Sequence, residues 1–146
     1  MLREIVAIHS IPLPGAGAPP EWVHLLPFGT FHGRDGRGPY RMPDRRAAQA
    51  VVAATVQYQA GADLPIDYDH QIYRSEHNGR PALAAGWISV AGLEVREDGI
   101  WGRVEWTSKA AQHLKEREYR YLSPAIVHDQ AGNVLRLDGA GLVNNP

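Results

Sequence analysis

Two short segments hold the residues best able to do covalent chemistry. His70 lies in Ile66-Asp67-Tyr68-Asp69-His70-Gln71, and Ser123 lies in Tyr119-Arg120-Tyr121-Leu122-Ser123-Pro124-Ala125-Ile126. A serine hydroxyl becomes a nucleophile only beside a base that takes its proton, and an imidazole is the usual base near neutral pH. The chain has no cysteine, which excludes thiolate nucleophiles, disulfides and cysteine-ligated zinc. His70 and Ser123 are therefore the best candidate couple, and if they meet in space the chemistry is that of a serine hydrolase.

Spacing by itself favours a plainer reading, in which Ser123 is a strand serine bonded to a neighbour and His70 a half-buried histidine. Pro124 has no backbone N–H, so the residue after Ser123 cannot donate to an oxyanion, and no Gly-x-Ser-x-Gly occurs. An α/β-hydrolase site is disfavoured on both counts. If Leu64 to Gln71 is one regular strand, Ile66, Tyr68 and His70 share one face and Asp67, Asp69 and Gln71 the other. On that reading neither aspartate orients His70, unless a bulge intervenes. Asp67, Asp69, His70 and His77 are also possible metal ligands, but the strand would split them and no His-Glu-x-x-His spacing is present. No cofactor is expected.

Trp22, Trp87, Trp101 and Trp106 mostly fall in apolar strand patterns where burial is the common outcome. His9, His24, His32, His113 and His128 read as surface or structural residues. His128 carries slightly more weight because it follows Ser123 so closely, although on the opposite strand face.

The elements that must carry these residues fit in one domain of 146 residues. Lys plus Arg number 15 against 16 Asp plus Glu, so no broad positive field exists to gather nucleic acid. Apolar runs fall well short of the roughly 20 residues of a membrane-crossing helix. No export signal is evident, and the cytosol is the default compartment. The 15 glycines and 11 prolines imply many turns. The stop at Val143-Asn144-Asn145-Pro146, directly after a strand pattern, fits a piece of a longer polypeptide.

Strands are expected at Leu2 to His9, Val23 to Phe28, Leu64 to Gln71, Ala84 to Val95 (bent or double), Ile100 to Trp106, Tyr119 to Val127 and Val134 to Val143. Asp98-Gly99 signals a hairpin. The segment from Gly29 to Pro39 reads as an extended surface turn. A helix should start after the N-cap candidate Asp44 and stop near Gly61, presenting Val51, Thr55 and Tyr58, with Val52 and Val56 beside them, to a sheet. A shorter helix through Lys109 to Glu116 has Thr107 or Ser108 as its cap. Strands outnumber helices about three to one, so the class is α+β, mostly β.

Several ordered words extend the argument beyond one Ser and one His: Leu64-Pro65-Ile66-Asp67-Tyr68-Asp69-His70-Gln71, Ala85-Gly86-Trp87-Ile88, Asp98 through Thr107, Glu118-Tyr119-Arg120-Tyr121-Leu122-Ser123-Pro124, and Leu142-Val143-Asn144-Asn145-Pro146. In this order they resemble the Mu-like phage protease and scaffold proteins, from about Leu25 to the last residue. The resemblance implies a prohead serine protease with a barrel-like antiparallel sheet and a few surrounding helices, similar to the herpesvirus assemblins. It further implies His70 as general base and Ser123 as nucleophile. The third member is open in such enzymes, with Asn144 the first choice here and Asp138 and Asn145 the alternatives. Implied partners are scaffold and major capsid proteins, as substrates or assembly partners, inside a procapsid in the bacterial cytoplasm or from a prophage. A homodimer is compatible with the family, as is a longer polypeptide in which residues 1–146 are the front, proteolytic domain. A non-catalytic assembly module with the same fold is the alternative.

Overall fold

Local chemistry sets the ends of the two longer helices. In the computed structural model, which describes residues 2–7, 11–13, 17–33 and 36–145, α1 spans Arg45–Gln59, and Asp44 in extended backbone accepts from the Ala47 N–H at 2.8 Å. Ala60 closes it in the left-handed conformation. Thr107 caps the helix Ser108–Lys115 in the same way, its Oγ1 accepting from the Ala110 N–H at 3.1 Å. Both caps satisfy N–H groups that a helix start leaves open, at about 1 kcal/mol each.

The buried stripe of α1 is Ala48, Val51 and Thr55, one turn earlier than the expected Val51–Thr55–Tyr58. Tyr58 is 53% exposed and Val56 41% exposed. The Arg136 guanidinium lies 3.5 Å over the Tyr58 ring, so this end of the helix is covered by a cation rather than by the core. Thr55 sits fully buried because its hydroxyl is used twice, donating to Val51 O at 2.7 Å and accepting from the Leu137 N–H at 3.0 Å.

Eleven strands accompany the helices among the described residues. They are β1 (Leu2–Ala7), β2 (Ile11–Pro12), β3 (Trp22–Pro27), β4 (Gly29–Phe31), β5 (Tyr40–Met42), β6 (Leu64–Tyr68), β7 (Ala84–Ile88), β8 (Glu94–Arg96), β9 (Gly99–Trp106), β10 (Tyr121–His128) and β11 (Val134–Val143). A four-residue helix α2 (Ser75–Asn78) follows β6, and Ser108–Lys115 is α3. The expected surface turn after Phe28 is thus a small hairpin, β4 pairing with β5.

The main sheet runs β1-β10-β11-β6-β7-β9-β3, with β2 beside β1 on β10 and β8 on β9. It curls into a nearly closed barrel and is antiparallel except at one junction, where β11 and β6 are parallel. The expected barrel is present, and its one parallel seam lies where the candidate residues meet. Ile66, Ile88, Ile100, Leu122, Ile126, Leu137 and Leu142 are buried in the interior cluster, each stabilising the fold by about 1.5–3 kcal/mol. The helix α1 packs across β11 and against β8 and β9.

At the β8–β9 hairpin Gly99 has φ +132°, and a Cβ there would fall 1.8 Å from Leu26 O. The turn needs glycine on both counts. The tryptophans are less buried than their strand patterns suggest. Trp22, Trp101 and Trp106 are half-buried and Trp87 is 43% exposed. His128 is a structural residue, buried edge-on against Tyr40. His9 and Pro146 lie outside the described residues.

Candidate active site

Three strands bring the chemistry into one row. In the antiparallel pair, Ser123 of β10 faces Gly141 of β11, and in the parallel pair Gly141 faces Asp67 of β6. Directly paired residues project to the same face of a sheet. Neighbouring strands lie about 4.8 Å apart, so Ser123 and Asp67 flank Gly141 across roughly 10 Å. Their neighbours Leu122, Leu142 and Ile66 point into the barrel cluster, which puts Ser123, Gly141 and Asp67 on the opposite face. They are covered even so, Ser123 being 2% and Asp67 1% exposed.

His70 fills the space above Gly141. A Cβ built on that glycine would lie 3.0 Å from Asp67 Oδ1 and 3.1 Å from both Nδ1 and Cε1 of His70. The ring therefore occupies the place of the missing side chain, between the serine column and the aspartate column. Glycine within a strand often marks such a close approach.

The backbone reaches this position by leaving the strand early. The regular strand expected through Gln71 ends at Tyr68, and Asp69 and His70 both adopt left-handed conformations, with φ 56° and 53°. Two such residues in succession reverse the chain and return the imidazole over β11. The reversal is secured on several sides: the Asp69 N–H donates to Leu142 O at 2.8 Å, and the Tyr73 N–H to His70 O at 3.0 Å. The Tyr119 hydroxyl donates to Asp69 Oδ2 at 2.7 Å. The expectation that Asp67 faces away from His70 is thereby overturned, because alternation stops one residue before the imidazole.

Asp67 spends one oxygen on this turn, Oδ2 accepting from the Ile72 N–H at 2.8 Å. Its Oδ1 is buried with no hydrogen-bond partner among the described residues, and so is Nε2 of His70. The Ser123 hydroxyl and Nε2 are accordingly not hydrogen-bonded in this resting geometry; such contacts commonly tighten when substrate is bound. Burial pushes the Asp67 carboxyl up to about 6, with the Ile72 N–H pulling the other way. Burial, then the Arg74 charge, lowers His70 to about 4, partly opposed by Asp69. The imidazole is neutral at pH 7 and able to accept a proton.

The other candidates for the third position are engaged elsewhere. The Asn144 side-chain amide accepts from the Arg120 N–H at 3.1 Å and donates to Glu118 O at 2.7 Å, tying the end of β11 to the approach of β10. Asn145 is exposed. Asp138 accepts from the Tyr73 hydroxyl and from Arg136, each at 2.7 Å. The Tyr73 ring then stands 6.1 Å from the His70 ring, so Tyr73 links Asp138 to the neighbourhood of the histidine. Asp67, Asp69, His70 and His77 are not gathered into a metal site; among the described residues no three His, Asp or Glu side chains converge.

Toward the sheet edge, β1 reaches Ala125 and β2 reaches Leu122. The neighbouring aromatic cluster of Tyr68, His113 and Tyr119, with rings 5.4–6.2 Å apart, flanks the Asp69 side of the turn. Sequence reasoning missed Gly141 and Asp67. The available signal was the Gly139-Ala140-Gly141 run inside a strand, where glycine is otherwise unfavourable.

Residues 23–146 match the family described as Mu-like prophage I protein, N-terminal domain. The chain is 32% identical over 139 residues to the Mu-like prophage FluMu I protein of Haemophilus influenzae, covering 88% of the chain and 39% of that protein. It is also 32% identical, over 152 aligned positions, to Protease I of Escherichia phage Mu, covering 97% of the chain and 40% of that protein. The chain thus spans about two fifths of the length of these curated relatives. No solved structure matches it.

Proposed function

Because the chain belongs to the Mu-like prophage I protein family, as its N-terminal domain, we propose that it is the proteolytic domain of a phage capsid-maturation enzyme, a serine endopeptidase with Ser123 as nucleophile and His70 as general base. The observation that supports this reading is a neutral imidazole lying over Gly141, the cross-strand partner of the buried Ser123. The name of the phage Mu relative, Protease I, supports it.

In the first step His70 takes the Ser123 proton while Oγ attacks a peptide carbonyl. The imidazolium then gives that proton to the departing amine, leaving an ester on Ser123. Water, deprotonated by the same imidazole, hydrolyses the ester and restores both residues. Pro124 supplies no N–H, so the oxyanion is held by donors other than the residue after the nucleophile. Substrates are extended segments of scaffold and capsid proteins, including the enzyme's own polypeptide, bound along a sheet edge or groove. The reading takes residues 1–146 as one domain at the front of a longer protease–scaffold polypeptide acting inside the procapsid.

The test is replacement of Ser123 by alanine in the full polypeptide, with self-cleavage followed by gel and mass spectrometry. Cleavage should stop while folding persists, and a fluorophosphonate probe should label Ser123 of the parent alone. Continued cleavage by a well-folded Ser123→Ala variant overturns the assignment.

A further inference from the structure

The catalytic reading above uses a serine and a histidine and leaves one buried group unexplained. Asp67 is a carboxylate 1% exposed, on the same sheet face as Ser123, with one oxygen committed to the Ile72 N–H and the other unpartnered. Leaving a carboxylate oxygen buried and unmatched is costly. The turn that Asp67 closes could be capped by a neutral residue, so capping alone does not account for an acid here.

Geometry gives the free oxygen a direction. Asp67 Oδ1 and His70 Nδ1 both lie about 3 Å from one point, the Cβ position that Gly141 leaves empty, so they are no more than about 6 Å apart. The ring lies over Gly141, on the strand between those of Ser123 and Asp67, and the His70 Nε2 is likewise without a partner among the described residues. The floor that the ring lies on carries no side chain.

We propose that Asp67 is the positioning residue of His70, its free Oδ1 accepting the imidazole N–H so that the other ring nitrogen is turned to Ser123, with Gly141 as the gap that lets the ring lie across β11. The order across the sheet is then serine, histidine, aspartate on three adjacent strands. The acid precedes the base by three positions in the chain, rather than following the nucleophile as Asn144 or Asp138 would.

Competing carboxylates are accounted for. Asp69 is exposed and its Oδ2 receives the Tyr119 hydroxyl. Asp138 is held by Tyr73 and Arg136. The charged and titratable groups facing His70 are thus Asp67 of β6, Asp69 in the turn, and Tyr73 and Arg74 in the segment after it, with Asp138 and Arg136 behind Tyr73.

The inference takes the Ser123–His70 couple as its premise for catalysis, but its test does not need proteolysis. His70 is observed by NMR in a Ser123→Ala background, with and without Asp67→Asn, which keeps an oxygen for the Ile72 N–H. At pH 7, where Asp67 is ionised and His70 neutral, loss of the carboxylate should shift the ring tautomer and the ring nitrogen chemical shifts. Asp69→Asn should have the smaller effect. In the active chain Asp67→Asn should lower kcat about 10²–10⁴-fold with KM little changed.

An unchanged His70 tautomer and ring nitrogen shift at pH 7 overturn the proposal, as does a larger response to Asp69→Asn. Should Asp67→Asn fail to fold, the wild-type ring decides: a far-downfield, exchange-protected imidazole N–H supports the contact and its absence removes it. A wild-type chain that shows the expected tautomer but cleaves nothing would count against the protease reading and leave the Asp67–His70 contact standing.

Discussion

Tyr119 and Asp69 are joined by a 2.7 Å hydrogen bond that links the approach to the serine strand with the residue just before His70. Burial first, then Asp69, pushes the Tyr119 hydroxyl up to about 12, so it remains a donor throughout the working pH range. The bond steadies two consecutive left-handed residues, a conformation that costs energy for any side chain but glycine. Tyr119→Phe should therefore lower kcat several-fold while changing stability by about 1 kcal/mol or less, since the contact is partly exposed. Steady-state kinetics and urea unfolding on the same preparation check this. An effect on stability alone would show that the turn holds His70 without help from Tyr119.

Gly141→Ala tests the floor of the site. The added methyl would meet Asp67 Oδ1 at 3.0 Å and the His70 ring at 3.1 Å, and the ring, as the freer of the two, must move. Activity should fall nearly as far as in His70→Ala, while overpacking costs about 1–3 kcal/mol of stability. Gly102→Ala is the comparison, because its methyl would press first on Ile88, Leu25 and Leu93, apolar side chains. Activity per folded molecule should survive there.

Much of the fold was legible because its signals are local. Asp44 and Thr107 cap helices, and Asp98-Gly99 turns a hairpin, through contacts within a few residues. Of the candidate site, two residues could be named from local pattern and their geometry could not. Strand alternation was projected through His70, but the Asp69–His70 reversal is maintained by Leu142 and Tyr119, more than 45 residues away in the chain. The same holds for Asp67. Its place in the row with Gly141 and Ser123 depends on the parallel seam of β6 and β11, a long-range pairing that no local pattern announces. Asn144 was favoured because an asparagine carbonyl can hold a histidine tautomer; its amide bridges Glu118 and Arg120, a long-range contact that local pattern does not announce.

Asn144→Ala separates a structural role from a catalytic one. Removing the amide releases the Arg120 N–H and Glu118 O near an exposed surface, where water replaces the lost partner. The expected cost is about 1–2 kcal/mol in stability. Turnover per folded molecule should stay within several-fold of the parent. A loss of 10³-fold or more at full folding, of the order seen on removing a triad member, would return Asn144 to the site.

Asp67 and His70 should also leave opposite marks on the pH dependence of stability. Asp67 binds its proton more tightly folded, at about 6, than at the ordinary 3.8, so its contribution is fully present below 3.8 and is lost as pH rises through about 6. His70 binds its proton less tightly folded, at about 4 against 6.5, so its contribution is lost as pH falls from 6.5 through about 4. Between about 4 and 6 the two slopes oppose, and the parent should show a flat profile there. Asp67→Asn removes the falling component, so its stability should climb with pH across that window. At pH 7 the variant escapes a buried charge whose cost is about 3 kcal/mol by linkage, and it should be at least as stable as the parent although far less active. Urea unfolding at half-unit pH steps reads this directly. A variant that loses stability at pH 7 in parallel with activity would mean that Asp67 serves the fold, and that its free oxygen is not held in reserve for His70.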